Sequence, residues 1–190
     1  MEQVQLKKPQ RGNIIIEKHY NIQHKPQRGE IIINKHNMAN TFTQIYLHIV
    51  FAVKGRENLI QKKWMDELHK YICGIVNGKE QKVYAIGGMP DHIHILVSIK
   101  PNIAVSDLVR DIKANSSKWI NEKRFLIGKF QWQEGFGAFS YAQSQLDNVI
   151  AYINNQEQHH QKKTFKEEYL NLLKKFNVEY NEKYLFEWIK

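Results

Sequence analysis

The 190-residue sequence predicts an α+β fold of the ferredoxin-like (RRM-like) split βαβ type, an antiparallel sheet with helices on one face. Three observations predict it. Strand and helix periodicities alternate as β-α-β-β-α-β-α from residue 38 onward. The two central strands are separated only by the turn-rich "GGMPD". The first two long helical stretches fall between strands and each carries one apolar stripe, as a helix laid on a sheet requires.

The elements follow in order. "TFTQIYLHIVFAV" alternates and is rich in β-branched and aromatic residues, which suits a strand. "LIQKKWMDELHKYICGIV" spaces Leu59, Trp64, Leu68, Ile72 and Val76 on one helical side, and Cys73 reads as a small core residue there. "KVYAIGGM" and "HIHILVSI" read as two strands. "AVSDLVRDIKANSSKWINEKR" reads as a helix with Leu108, Ile112, Trp119 and Ile120 inward. "FQWQEGFGAFSYA" reads as a fourth strand bent at Gly135 and Gly137. "SQLDNVIAYINNQEQHH" predicts one helix with Leu146, Val149, Ile150 and Ile153 as its buried stripe, and with Ser144 and Asp147 as an approximate capping box. "TFKEEYLNLLKKFNVEYNEKYLFEW" adds a further helix and an aromatic tail.

Composition narrows the function classes. A net charge of +9 favours a polyanionic partner, and 12% aromatic residues mixed with it suit unpaired nucleic acid, whose bases stack on rings. A merely basic soluble protein is the plain alternative. One cysteine excludes an internal disulfide and a cysteine-based zinc cage. No apolar run is long enough to span a bilayer, and the charged start has no secretory core, so a cytoplasmic protein is expected.

The first 37 residues stand apart. "KPQRGNIIIEKH" at Lys8 to His19 recurs as "KPQRGEIIINKH" at Lys25 to His36, with ten of twelve positions matching at an offset of 17. Two copies are too few for a solenoid. Residues 1–37 carry seven Lys/Arg against three Asp/Glu. We read them as a basic, poorly ordered extension outside a domain of residues 38–190, with a DNA-binding arm as the alternative. Activity is therefore expected from Met38 onward.

The chemistry centres on "MPDHIHILVSI". Residues two apart on a strand share a face, so His92, His94 and Leu96 lie together while Ile93, Ile95 and Val97 face the core. Two neutral imidazoles in register on the less apolar face suit a metal, with Asp91 placed to orient one ring. On its own the pattern is weak. In the helix near residue 150, Tyr152 and Gln156 are four apart and project beside the buried stripe, able to aim a phenol and an amide oxygen at one ion. From periodicity alone, a boundary tyrosine and a solvent-facing glutamine are the commoner reading. His159 and His160 read as supporting residues, or as partners of the helix C-terminus. Arg110, Lys113, Ser117 and Arg124 fall along one helical side, a candidate contact for a DNA backbone or a solvated face. Tyr141 is the nearest rival nucleophile, while Trp132, Phe136 and Phe139 read as core or interface.

"GGMPDHIHILV", "WQEGFGAFSYA" and "YINNQEQHH" resemble, in order, the single-tyrosine HUH transposases of the smallest bacterial insertion sequences, the insertion-sequence-two-hundred type, to which REP-associated tyrosine transposases are related. HUH denotes His, a hydrophobic residue, His; here it is His92, Ile93 and His94. The resemblance runs from about Met38 to the C-terminal tail. It implies that His92, His94 and Gln156 bind a divalent metal, Mg²⁺ or Mn²⁺, and that Tyr152 is the nucleophile carried by the extra C-terminal helices. It also implies single-stranded DNA with hairpin ends as substrate, and a homodimer in which the tyrosine helix of one subunit completes the histidine pair of the other. The repeat has no counterpart in that pattern. Two further readings stand beside cleavage and rejoining of transposon ends. One is a domesticated single-strand endonuclease acting on genomic palindromes. The other is a non-catalytic RRM-like nucleic-acid binder.

Overall fold

The computed structural model describes residues 42–181 and Leu185, so the 1–37 extension and the proposed start at Met38 lie outside the described residues. The strands are β1 (Tyr46–Ala52), β2 (Lys82–Met89), β3 (His92–Ser98) and β4 (Gly137–Tyr141). The helices are α1 (Lys62–Gly78), α2 (Val105–Glu122), α3 (Leu146–Asn154), α4 (Gln156–His160) and α5 (Phe165–Lys175). The strands form one antiparallel sheet in the order β2-β3-β1-β4. This is the expected α+β, split βαβ arrangement.

Alternation on the central strands divides the molecule into two packed layers. Leu47, Ile49 and Phe51 of β1 join Ile93, Ile95 and Val97 of β3 on one face, under Trp64, Leu68, Ile72 and Val76 of α1 and Leu108, Val109 and Ile112 of α2. The other face carries Tyr46, His48, Val50 and Ala52 with His92, His94 and Leu96. The C-terminal helices cover it through Leu146, Val149 and Ile153 of α3 and Phe165, Tyr169, Leu172 and Leu173 of α5. The two crossover helices thus sit on one face, and the extra helices sit on the histidine face.

Some local expectations change. Only residues 137–141 of the fourth segment form a strand; upstream, Gly135 adopts φ 76° and a single bridge joins Val53 to Trp132. The Ser144 cap is not formed: residues 143–145 make a 3-10 turn, and the Gln145 side chain accepts the Ala142 N–H at 3.0 Å. The single helix expected over 144–160 is two, broken at Asn155 (φ −102°, ψ 26°), where consecutive asparagines compete for the backbone's hydrogen bonds. Cys73 is half-buried on α1 and not in the core, and burial pushes its thiol pKa up.

Candidate active site

The β2–β3 hairpin turns through Pro90 and Asp91, with Met89 opposite His92. That tight turn places Asp91 Oδ1 2.6 Å from His92 Nδ1. On the neighbouring strand, His48 Nε2 lies 2.8 Å from His94 Nδ1. Both Nδ1 atoms are therefore engaged, and both Nε2 atoms are left facing the same space. Each is buried without a hydrogen-bond partner, and both histidines are 0% exposed. The Asp91 carboxylate fixes the orientation and tautomer of His92, and the His48 contact fixes the orientation of His94, as metal-binding histidines require.

Helix α3 reaches this space because β2 has glycine at residue 87, opposite His94. A Cβ at Gly87 would stand 2.4 Å from the Ile153 carbonyl oxygen. The close approach brings the Tyr152 ring edge-on to His94 and His48, with centroids 6.0 Å from each. Gln156, the first residue of α4, is 2% exposed and turned into the same pocket. His159 packs edge-on against Tyr152 at 5.0 Å, and His160 against His92 at 4.8 Å. His160 Nε2 lies 3.1 Å from the Gln156 side-chain oxygen.

The pocket closes with a residue that sequence reasoning missed. Glu168 of α5 is 2% exposed. Its Oε1 accepts hydrogen bonds from the Tyr152 hydroxyl and from Gln156 Nε2, the latter at 3.1 Å. Its Oε2 stands 3.5 Å from His94 Nε2, 3.7 Å from His92 Nε2 and 3.0 Å from His160 Nε2. His92, His94 and Glu168 each offer a ligand atom within 4.8 Å of the others. A signal existed: Glu168 falls in the stripe of Phe165, Tyr169, Leu172 and Leu173, where an acid has no reason to be unless it meets a partner. His48 was missed as well, although its parity with Val50 places it on the histidine face.

The electrostatics follow from burial. Burial lowers the His92 pKa to about 4, against the opposing pull of the Asp91 hydrogen bond. Burial, and then the nearby His94, hold His48 well below the usual histidine value. Burial pushes the Glu168 carboxyl upward, but the His160 and His94 imidazoles beside it outweigh this and hold it well below the carboxylate range. Tyr152 is pushed far above the ordinary phenol value, first by burial and then by the Glu168 charge. The resting pocket therefore holds neutral His92 and His48 rings, a Glu168 carboxylate and a protonated Tyr152 phenol.

These donors fit a divalent ion. A tetrahedral or octahedral ion with bonds near 2.1 Å holds adjacent ligands about 3.0–3.5 Å apart, close to the Glu168-to-histidine separations. His92 Nε2, His94 Nε2 and Glu168 Oε2 are buried without hydrogen-bond partners and lie within 4.8 Å of one another, which is otherwise costly.

Asp91, His92, His94, Tyr152, Gln156, His159 and His160 are thus brought together. Arg110, Lys113 and Arg124 are not, because α2 lies under the opposite face of the sheet. Arg110 pairs with Asp107 and Asp111, and Lys113 donates to the Gly135 carbonyl at 2.9 Å. Arg124 closes the end of α2 in a left-handed conformation (φ 53°). The rival Tyr141 packs on Phe176, and Trp132 lies between Phe51 and Phe130.

The split βαβ sheet thus presses a half-buried tyrosine against paired histidines in one pocket. The family model described as "Transposase IS200 like" matches residues 41–156, and the chain belongs to this family of DNA transposases. The ISDra2 transposase TnpA of Deinococcus radiodurans is 25% identical over 118 residues, 60% of this chain and 84% of that protein. A crystal structure from Deinococcus radiodurans, of a protein described as a candidate transposase, matches with TM-score 0.49 and 19% identity, over 65% of this chain and 98% of that one. A REP-associated tyrosine transposase, solved bound to a REP hairpin, matches with TM-score 0.47 and 13% identity, over 63% of this chain and 71% of that one. Helix α5, and Glu168 with it, lies beyond the segment the family model matches. Among the described residues no helix is long and apolar enough to cross a membrane.

Proposed function

We propose that this transposase cleaves and rejoins single-stranded DNA at transposon ends through a 5′-phosphotyrosine on Tyr152. His92, His94 and Gln156 would hold the divalent metal, Mg²⁺ or Mn²⁺. The observation that carries this reading is the shared pocket: the phenol and both unpartnered Nε2 atoms border the same carboxylate. The phenolic oxygen attacks the scissile phosphorus, the 3′ oxygen leaves, and the phosphodiester is kept as a protein ester. A 3′-hydroxyl can then reverse the exchange without an external energy source.

Each side chain has a distinct part. The pocket holds the phenol protonated at rest, so it is a weak nucleophile until its proton is lost. Glu168 aims the hydroxyl, and burial keeps His92 neutral at physiological pH, as metal ligation requires. A bound divalent ion supplies the positive charge that polarises the phosphate and stabilises the leaving oxygen. The net charge of +9 suits a DNA partner, and hairpin-bearing single strands are the substrate that the family resemblance implies.

An RRM-like binder would use an open sheet face as its stacking platform. Here α3 and α5 cover the face opposite α1 and α2, which favours catalysis. The test is a denaturing gel after incubation with Mn²⁺ and single-stranded DNA carrying hairpins. A covalent adduct is expected with the natural chain, and none with Tyr152→Phe. An adduct that persists in Tyr152→Phe would remove Tyr152 as nucleophile.

A further inference from the structure

We propose that Glu168 is itself a metal ligand, so that the ion sits in a His–His–carboxylate site built from β3 and α5. This deepens the function proposed above and rests on its metal reading. Glu168 lies outside the segment that defines the family, so the argument depends on this chain's own geometry.

The carboxylate has two differently engaged oxygens. Oε1 is satisfied by Tyr152 and Gln156. Oε2 is buried without a hydrogen bond, as are His92 Nε2 and His94 Nε2, which lie 3.7 and 3.5 Å away. The closest imidazole, that of His160, directs its Nε2 hydrogen bond to Gln156. Three buried polar atoms that face one another without a hydrogen bond make an arrangement that a cation resolves and apolar packing does not. The rings are also fixed from behind by Asp91 and His48, so the donors are pre-set before any ion arrives.

Helix α5 is built to hold this carboxylate in place. Thr164 caps it, accepting the Glu167 N–H while Glu167 accepts the Thr164 N–H at 2.8 Å. Phe165 stacks on the His92 ring with centroids 4.1 Å apart, which pins the first turn of α5 over the histidine. An anionic donor added to the two imidazoles and the Gln156 amide changes what the site prefers. Two imidazoles and a carboxylate suit a first-row ion such as Mn²⁺ better than Mg²⁺, which favours oxygen ligands alone. The same carboxylate, through Oε1, ties the position of the phenol to the position of the ion.

The experiment is a Mn²⁺ titration of the full chain, without DNA, read by the loss of the free-ion electron paramagnetic resonance signal. Glu168→Gln preserves shape and removes charge, and it should weaken Mn²⁺ binding at least about tenfold. Glu157→Gln, an exposed acid on α4 paired with Lys62, should bind as the natural chain does. Glu168→Asp should fall between, since it keeps the charge on a shorter arm. Thermal melting in chelator confirms that each variant is folded. Equal Mn²⁺ affinity in the natural chain and Glu168→Gln overturns the ligand assignment, and leaves the histidine pair and Tyr152 untouched. Equal affinity together with more DNA adduct in Glu168→Gln also overturns it, and makes Glu168 a plug that substrate must displace. Absence of Mn²⁺ binding in the natural chain overturns this inference and the metal reading beneath it, while the Tyr152→Phe adduct test still stands alone.

Discussion

His92 has a ring with no exposed surface, and its pKa of about 4 has a consequence for stability. An unfolded histidine titrates near 6.5. Between pH 6.5 and 4 the unfolded chain binds a proton at this position that the folded chain refuses, so protonation favours unfolding. Stability from this residue is complete above about pH 6.5 and is lost as the pH falls towards 4. The difference amounts to roughly 3 kcal/mol at the bottom of that window. His48, held low by burial and by His94, acts in the same direction. We expect urea midpoints of the protein in chelator to drop steadily from pH 7 to pH 4.5, and the drop to be shallower in His92→Asn. A flat profile would show that His92 is not held neutral. Bound metal should steepen the loss, because protons then compete with the ion for the same nitrogens.

At the scale of elements, placement of the nucleophile depends on how closely α3 lies on β2. Gly87 makes that approach possible, since any Cβ there would meet the Ile153 backbone oxygen at 2.4 Å. Backbone cannot yield as a flexible side chain can, so Gly87→Ala must lift the end of α3. The expected cost is about 1–3 kcal/mol in a chemical-denaturation midpoint, with less Tyr152 adduct on the same gel. Unchanged stability and unchanged adduct would mean that the helix is not seated as described. "GGM" was legible as turn-rich sequence, but not as a helix seat, because the residue it accommodates lies 66 positions away. Periodicity within a segment was more informative. The α1 stripe and the alternation of "HIHILVSI" gave the sheet, its apolar face and the histidine pair. Tyr152 and Gln156 were legible only with the family resemblance, since their shared pocket depends on the α3–α4 break at Asn155. Glu168 and His48 were not legible as site residues. Each reaches the pocket through tertiary packing, Glu168 from α5 and His48 across the β1–β3 pairing.

At the scale of the whole molecule, α3–α5 form a unit that buries Leu146, Val149, Ile153, Phe165, Tyr169, Leu172 and Leu173, and it is joined to the sheet by residues 142–145 alone. In this chain Tyr152 meets its own His94. A partner sheet would present the same apolar seats and the same histidines, so exchange of the unit between two copies preserves every contact and changes only the path of residues 142–145. We propose that the protein is such a homodimer, with active sites shared between subunits. Light scattering is expected to give the dimer mass. A mixture of Tyr152→Phe and His92→Ala chains, each inactive alone, is then expected to regain adduct. The adduct should sit on the His92→Ala chain, whose intact tyrosine can reach the intact histidines of its partner. A monomer mass removes the dimer. A dimer whose mixture stays inactive keeps the assembly and confines each Tyr152 to its own histidines. Both outcomes can be read without knowing the natural hairpin, because each variant is its own control for binding and the gel reports only where the covalent bond forms.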